Sequence, residues 1–183
     1  MNFGDENLKN LKKHSVKYPF TIERTIVNGE CGFGFTQVMN NKARNLMLGK
    51  NAPTYVKSIG HDAWVHLLCL SCGEVIYDKD VHADMRRHGN NTSVQELHGG
   101  TKFTHQIWRI NQFFFHDYGK KIYEEISFFY YSFEKELPSG SKKIIQRYIT
   151  TGNKMKKVMY PKRYRDSLAD EILLRILFLI GRM

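Results

Sequence analysis

Apolar and polar positions alternate in two different ways along the chain, and the change falls near residue 100. Before it, the pattern predicts short strands separated by turn residues, at 21–27, 31–39, 74–77 and 81–85. Helical spacing of apolar residues predicts one helix there from Ala63 to Cys72, with Gly73 at its C-terminus. Asn40, a favoured N-cap residue, predicts a shorter helix to about Leu48. The first hundred residues are therefore predicted to be mixed α and β.

After residue 100 the spacing is helical and aromatic residues are frequent. Helical structure is predicted from His105 to Leu137, and the segment 138–140 (PSG) interrupts it. A basic helix follows to about Thr150. The last element is predicted from Asp166 to Gly181, with acidic residues in its first turn, as the helix dipole favours. No apolar run reaches the roughly 18–20 residues that a membrane span needs.

Composition and charge add constraints to this picture. The 183 residues are 42% apolar, which is typical of a globular chain, and carry a formal charge of +10. From Lys142 onward there are eleven Lys and Arg against three acids, so this tail holds +8 of that charge. Such a tail suits nucleic acid, anionic lipid headgroups or a polyanionic substrate, or it is simply a solvated helical surface. No signal peptide is apparent in residues 1–20, and the odd count of three cysteines favours reduced thiols and a cytoplasmic setting.

Several short motifs carry candidate chemistry. Asp62, in the segment 60–64 (GHDAW), has the position of a general base at a helix start, or caps that helix. The loop 84–91 (DMRRHGNN) has groups that grip phosphate, or it is a basic surface turn. Cys69 and Cys72 lack two further ligands at zinc spacing and favour a core interpretation. The His61-Asp62 pair also matches half of the metal-ligand motif of metal-dependent phosphohydrolases. Those enzymes have an all-helical scaffold, so the strands predicted between 74 and 85 argue against this interpretation.

The order of four motifs resembles the second half of a family-two glycosyltransferase of the GT-A fold, rhamnosyltransferase-like. These motifs are 34–42 (GFTQVMNNK), 60–64 (GHDAW), 73–77 (GEVIY) and 85–91 (MRRHGNN). The resemblance covers residues 25–95 and extends loosely into the tail. It implies an α/β fold, with a partial GT-A (Rossmann-like) sheet region followed by a helical C-terminal tail. Residues 1–98 would form the acceptor side of the core, and 99–183 a basic helical extension.

The resemblance also implies an activity, which is inverting transfer of a sugar from a nucleotide-diphosphate donor to a hydroxyl of a cell-surface polysaccharide or lipid-linked acceptor. Asp62 would be the general base. The implied substrate-binding residues are Gly34, Thr36, His61, Trp64, Arg86 and Asn90, although Trp64 taken by itself favours packing. His88 would be a metal ligand, for Mg²⁺ or Mn²⁺ at the donor diphosphate.

The nucleotide-binding βαβ region and the Asp-x-Asp strand of such enzymes do not precede residue 25. Asp78 and Asp80 match the Asp-x-Asp pattern, but they come after the predicted helix that starts beside Asp62, not before it. We therefore expect this chain alone not to bind a sugar nucleotide tightly. Two alternatives remain open: an inactive glycosyltransferase remnant, and a basic nucleic-acid or interaction module without catalysis. Nucleic-acid binding is the weaker expectation, because the basic and the aromatic residues lie on separate segments of the chain.

The final apolar stretch, Ile172 to Ile180, has two interpretations. It is too short to cross a bilayer, but beside the basic helices it suits peripheral contact with the inner face of a membrane. Alternatively, it packs back on the core.

Overall fold

The computed structural model describes residues 2–4, 7–9, 11–13, 20–28, 31–48, 60–78, 80–86, 111, 118–150, 152 and 154–182. The chain divides into two compact units. Unit 1 comprises Met1–Pro19 and Ile76–Asn111, and unit 2 comprises Phe20–Val75 and Gln112–Met183. The predicted domain boundary at 98/99 lies outside the described residues and stays a prediction.

Unit 1 contains a small three-stranded sheet. Its strands are β1 (Asn2–Gly4), β2 (Lys12–Lys13) and β3 (Asp84–Arg86), in the order β2-β1-β3. β1 pairs antiparallel with β2 and parallel with β3. The strand predicted at 81–85 is therefore present, but it begins later, at Asp84.

The regular secondary structure in the described part of unit 2 is helical, with one short 3₁₀ turn and loops between the helices. Its helices are α1 (Ile22–Asn28), α2 (Asn41–Leu48), α3 (His61–Cys72), α4 (Tyr118–Phe133), α5 (Ser139–Ile149), α6 (Lys154–Val158) and α7 (Leu168–Ile180). The predicted helical C-terminal region is confirmed. So is the helix after Asn40, whose side-chain oxygen accepts the Ala43 amide at 2.9 Å as an N-cap does.

Three predicted strands are wrong. The segment 21–27 is helical: Thr21 accepts the Arg24 amide through its hydroxyl at 3.3 Å, and Glu23, Thr25, Ile26 and Val27 are all buried. Tertiary packing at helical spacing thus overrides the β preference of the branched residues. The segment 31–39 is a loop around a 3₁₀ turn, Gly34–Thr36, and 74–77 has no strand pairing.

The core of unit 2 lies between α1, α3, α4, α5 and α7. Its centre is aromatic: Trp64 meets Phe129 edge-on at 5.2 Å between ring centroids, and Phe129 lies 5.0 Å from Phe133. Leu174, Leu177 and Phe178 of α7 are buried in the same cluster. Because α3 is a core helix, its first turn is held in a fixed position, and that turn carries the candidate site.

Candidate functional site

Asp62 lies in the first turn of α3, but it does not cap the helix. The N-cap residue is Gly60, whose φ of 79° is a conformation that favours glycine. The capping interpretation of Asp62 is therefore wrong. Its carboxylate turns towards the loop 31–40, where Oδ2 accepts the backbone N–H of Gly34 at 2.9 Å.

Gly34 allows this close approach because it has no side chain. A Cβ atom there would lie 2.8 Å from Cγ of Asp62, a distance that real Cβ atoms do not adopt. Gln37 fixes the same loop from its other end, since its Nε2 donates to the carbonyl of Gly32 at 2.8 Å and to that of Asp62 at 3.2 Å. The loop and the helix start thus form one hydrogen-bonded unit, although 28 residues separate Gly34 from Asp62.

The second carboxylate oxygen of Asp62 has a different environment. Oδ1 contacts Nε2 of His61 without making a hydrogen bond, and it has no hydrogen-bond partner among the described residues. The Asp62 side chain is 29% exposed and that of His61 is 90% exposed. One oxygen is therefore anchored, while the other is covered from solvent, lacks a hydrogen-bond partner among the described residues and contacts an exposed imidazole.

Cys31 lies near the same carboxylate. Burial first, and the negative charge of Asp62 second, raise the pKa of its thiol to about 12. At neutral pH the side chain is therefore a thiol, which argues against Cys31 as a nucleophile because attack requires the thiolate.

The other residues that the resemblance implies are distributed differently. Thr36 is exposed, and its hydroxyl donates to the carbonyl of Phe33 at 2.8 Å within the 3₁₀ turn. Trp64 is 3% exposed and packs against Phe129, so it belongs to the core. Arg86 is an exposed residue of β3 in unit 1. His88 and Asn90 lie outside the described residues.

A group of metal-ligating side chains occurs in unit 1, at and just after the two residues that match the Asp-x-Asp motif. Asp78, Asp80 and His82 are exposed, and their ligand atoms lie within 4.8 Å of one another. Asp78 accepts the Asp80 amide at 2.9 Å and contacts His82 Nε2 at 2.9 Å, and these two bonds, the backbone one first, lower the pKa of its carboxyl. Two carboxylates with an imidazole suit Mn²⁺ better than Mg²⁺. The divalent metal and its expected ligand His88 stay predictions.

The cysteine pair of α3 has a packing role. Cys72 packs against the core, and burial is the main cause that raises the pKa of its thiol to about 11. Within the described part of the chain, no cysteine belongs to a group of three metal-ligating side chains. These observations agree with the core interpretation.

Sequence reasoning missed a set of buried charges that hold the loop 159–167 to its neighbours. Glu171 of α7 accepts the amides of Tyr164 at 2.9 Å and Arg165 at 2.8 Å, and Nε of Arg175 at 2.8 Å. Glu23 of α1 accepts the Tyr160 hydroxyl at 2.6 Å. The available signal was weak, since an acid in a helical first turn is usually exposed.

Comparison with known proteins gives no relative for this chain: no family model, no curated protein and no solved structure matches it. The glycosyltransferase resemblance therefore rests on the four motifs alone. As for membrane insertion, none of the described helices has the length and apolar character required to cross a bilayer.

Proposed function

We propose that this chain is the acceptor side of an inverting glycosyltransferase, in which Asp62 removes the proton from the acceptor hydroxyl. The observation that supports the proposal is the bond between Asp62 and the Gly34 amide. It joins two of the motifs on which the resemblance depends, and it does so through the residue that would be the base.

The geometry of the carboxylate suits that role. A general base must be held in place and must keep one oxygen available within hydrogen-bond reach of the acceptor hydroxyl. The Gly34 amide holds Oδ2, whereas Oδ1 has no hydrogen-bond partner among the described residues. Oδ1 is covered from solvent, so the exposed His61 ring that contacts it would have to turn away before an acceptor hydroxyl could reach it. The first turn of α3 also favours a negative charge, because the N-terminal end of a helix carries a partial positive charge.

His61 would border the acceptor pocket, since its exposed ring contacts Oδ1. The resemblance further implies that Arg86, His88 and Asn90 would bind a donor diphosphate, with Mg²⁺ or Mn²⁺ neutralising its charge. A bound metal would stabilise the leaving diphosphate, and the chain's own residues would orient the acceptor and accept its proton. The partial GT-A sheet and the polysaccharide or lipid-linked acceptor belong to this same proposal.

The first experiment measures acceptor binding, because we do not expect this chain alone to bind a donor tightly. Amide chemical shifts of the isotope-labelled chain are followed by NMR while short glycans are added. The amides of Gly34, Gln37 and His61 are expected to shift in the wild type. Glycans that move none of these signals at millimolar concentration would contradict the proposal.

The second experiment measures catalysis with sugar nucleotides, glycan acceptors and Mn²⁺ or Mg²⁺, by the release of nucleoside diphosphate. Asp62→Asn is expected to lower the rate by about 10²- to 10⁴-fold, the usual contribution of general-base catalysis. Asp170→Asn is the matched control, since Asp170 also lies in the first turn of a helix. Equal rates for Asp62→Asn and wild type would exclude Asp62 as the base.

A further inference from the structure

The last helix, α7, is apolar on its outward side as well as on its buried side. Leu174, Leu177 and Phe178 are buried in the core of unit 2. The opposite side exposes five large apolar residues, each 45–59% accessible to solvent: Leu168, Ile172, Ile176, Leu179 and Ile180. A helix that is apolar all round is ordinarily buried or in contact with lipid. One side of α7 therefore packs back on the core, as one of the two interpretations of this segment expected, while the other side is exposed.

These five residues form one continuous surface. Their spacing of four, four, three and one positions places them within about a third of the helix circumference. The three charged residues of α7, Asp170, Glu171 and Arg175, lie elsewhere on the helix. Glu171 and Arg175 pair with each other, and Arg175 also donates to the carbonyl of Tyr160 at 2.9 Å. Clustered apolar exposure of this kind marks an interaction surface, whereas single exposed residues do not. We call these five residues the α7 apolar face.

The neighbouring surface is basic. The Nζ of Lys154 lies at the C-terminal end of α7, 2.7 Å from where a Cβ on Gly181 would be. Lys156, Arg163 and Arg182 are exposed near the ends of α6 and α7. Among described residues from 152 onward the exposed acid is Asp166, which Arg24 already neutralises at 2.9 Å. The partner that fits an apolar face with basic surroundings is itself apolar with anionic charge at its edge.

We propose that the α7 apolar face binds the surface of an anionic lipid bilayer, with the neighbouring Lys and Arg at the headgroups. A helix of 13 residues is about 20 Å long, shorter than the roughly 30 Å hydrocarbon core, and its other side is fixed to unit 2. It therefore lies in the plane of the interface, where apolar burial and attraction to anionic lipid act together. A second copy of the chain is a poorer partner, because the two basic surroundings would repel. The proposal goes beyond the proposed function and does not depend on it.

The test is flotation of the full chain with phosphatidylcholine vesicles, with and without about 30% phosphatidylglycerol. It is run at about 0.01 M and 0.15 M salt, where the Debye length is about 30 Å and 8 Å. Binding is expected with the anionic vesicles at low salt and is expected to weaken at the higher salt. No flotation with either vesicle at low salt would overturn the proposal.

Variants separate the two contributions to binding. Ile172→Gln combined with Ile176→Gln is expected to lower the partition coefficient about 10- to 100-fold, since each removes half-exposed apolar area from the contact. Lys156→Glu combined with Arg163→Glu is expected to weaken binding to the anionic vesicles specifically. Tyr131→Gln is the control, as Tyr131 is 71% exposed on α4 and is not part of the α7 apolar face.

Other partners give different results. Unchanged flotation of the Ile172→Gln, Ile176→Gln variant would show purely electrostatic binding and overturn the role of the α7 apolar face. A dimer in sedimentation that dissociates in this variant, without vesicle binding, would identify a second copy as the partner. Salt-dependent binding to mixed RNA and DNA with no flotation would favour a nucleic-acid surface. Circular dichroism checks that each variant is folded, which is expected because all substituted side chains are exposed.

Discussion

Replacing Glu171 by Gln tests whether a buried carboxylate holds the loop 159–167 to α7. Oε2 of Glu171 accepts two backbone amides and Oε1 accepts Arg175, while the residue is 3% exposed. Glutamine keeps the shape, but its amide nitrogen would face either the two amides or the guanidinium, and both are donors. One set of donors therefore loses its acceptor inside the protein.

The expected cost is about 3–5 kcal/mol, the usual effect of breaking a buried ion pair by removing one partner. For a chain of this size that corresponds to a fall in melting temperature of about 6–20 °C. Thermal and urea unfolding followed by circular dichroism at 222 nm measure it. Glu124→Gln is the matched control: Glu124 is exposed on α4, 3.9 Å from Lys120, and its loss should change stability by less than about 0.5 kcal/mol.

A Glu171→Gln variant within about 1 kcal/mol of wild type would refute the reasoning. It would mean that the hydrogen bonds of Glu171 are replaced by water, and that the loop 159–167 is not fixed by this carboxylate. A large effect of Glu124→Gln would instead show that stability responds to net charge rather than to burial.

Three further predictions concern the site and the core. Gly34→Ala should lower the free energy of urea unfolding by about 1–3 kcal/mol, because the added Cβ would displace the Asp62 carboxylate that the Gly34 amide binds. Gly140→Ala, where the added Cβ meets open space, should instead raise it by about 0.4–1 kcal/mol. Burial alone would raise the pKa of Glu23, but the hydrogen bond from Tyr160 and other contacts leave it lowered. Tyr160→Phe should therefore lower the melting temperature by its full amount above pH about 4.5, and the difference from wild type should disappear as the pH falls below that value. Because burial and the Asp62 charge raise the pKa of Cys31 to about 12, iodoacetamide at pH 8 should label this thiol at least about 100-fold more slowly in the native than in the urea-unfolded chain. Equal labelling rates by mass spectrometry would contradict the shielding of this thiol in the folded chain.

Several parts of the fold were predictable because their signals are local. Asn40 caps α2 as expected, and α3 ends at Cys72 before Gly73. Gly181 ends α7 in the left-handed conformation, with φ of 75°, and its amide donates to the carbonyl of Phe178 at 3.2 Å. Each of these features depends on hydrogen bonds between residues within four or five positions of one another.

The sequence identified residues of the candidate site, but not the contacts between them. The pattern drew attention to Asp62 and Gly34, but it gave no reason to expect a bond between them, and it placed Gly34 in a strand. For Trp64 the same motif implied a substrate contact, whereas packing between α3 and α4 buries it in the core. Contacts across many residues depend on how helices pack, which no short motif specifies.

The sequence by itself determined the helical C-terminal region, its basic charge and the end of its last helix, because capping, spacing and charge act over short distances. Only the tertiary structure decided that 21–27 is a helix, that Asp62 binds a loop instead of capping α3, and that Glu171 is buried while Ile172 beside it is exposed. The physical reason is the same in each case. Solvent exposure and long-range hydrogen bonds are set by which surfaces meet, and neighbouring residues on one helix meet different surfaces.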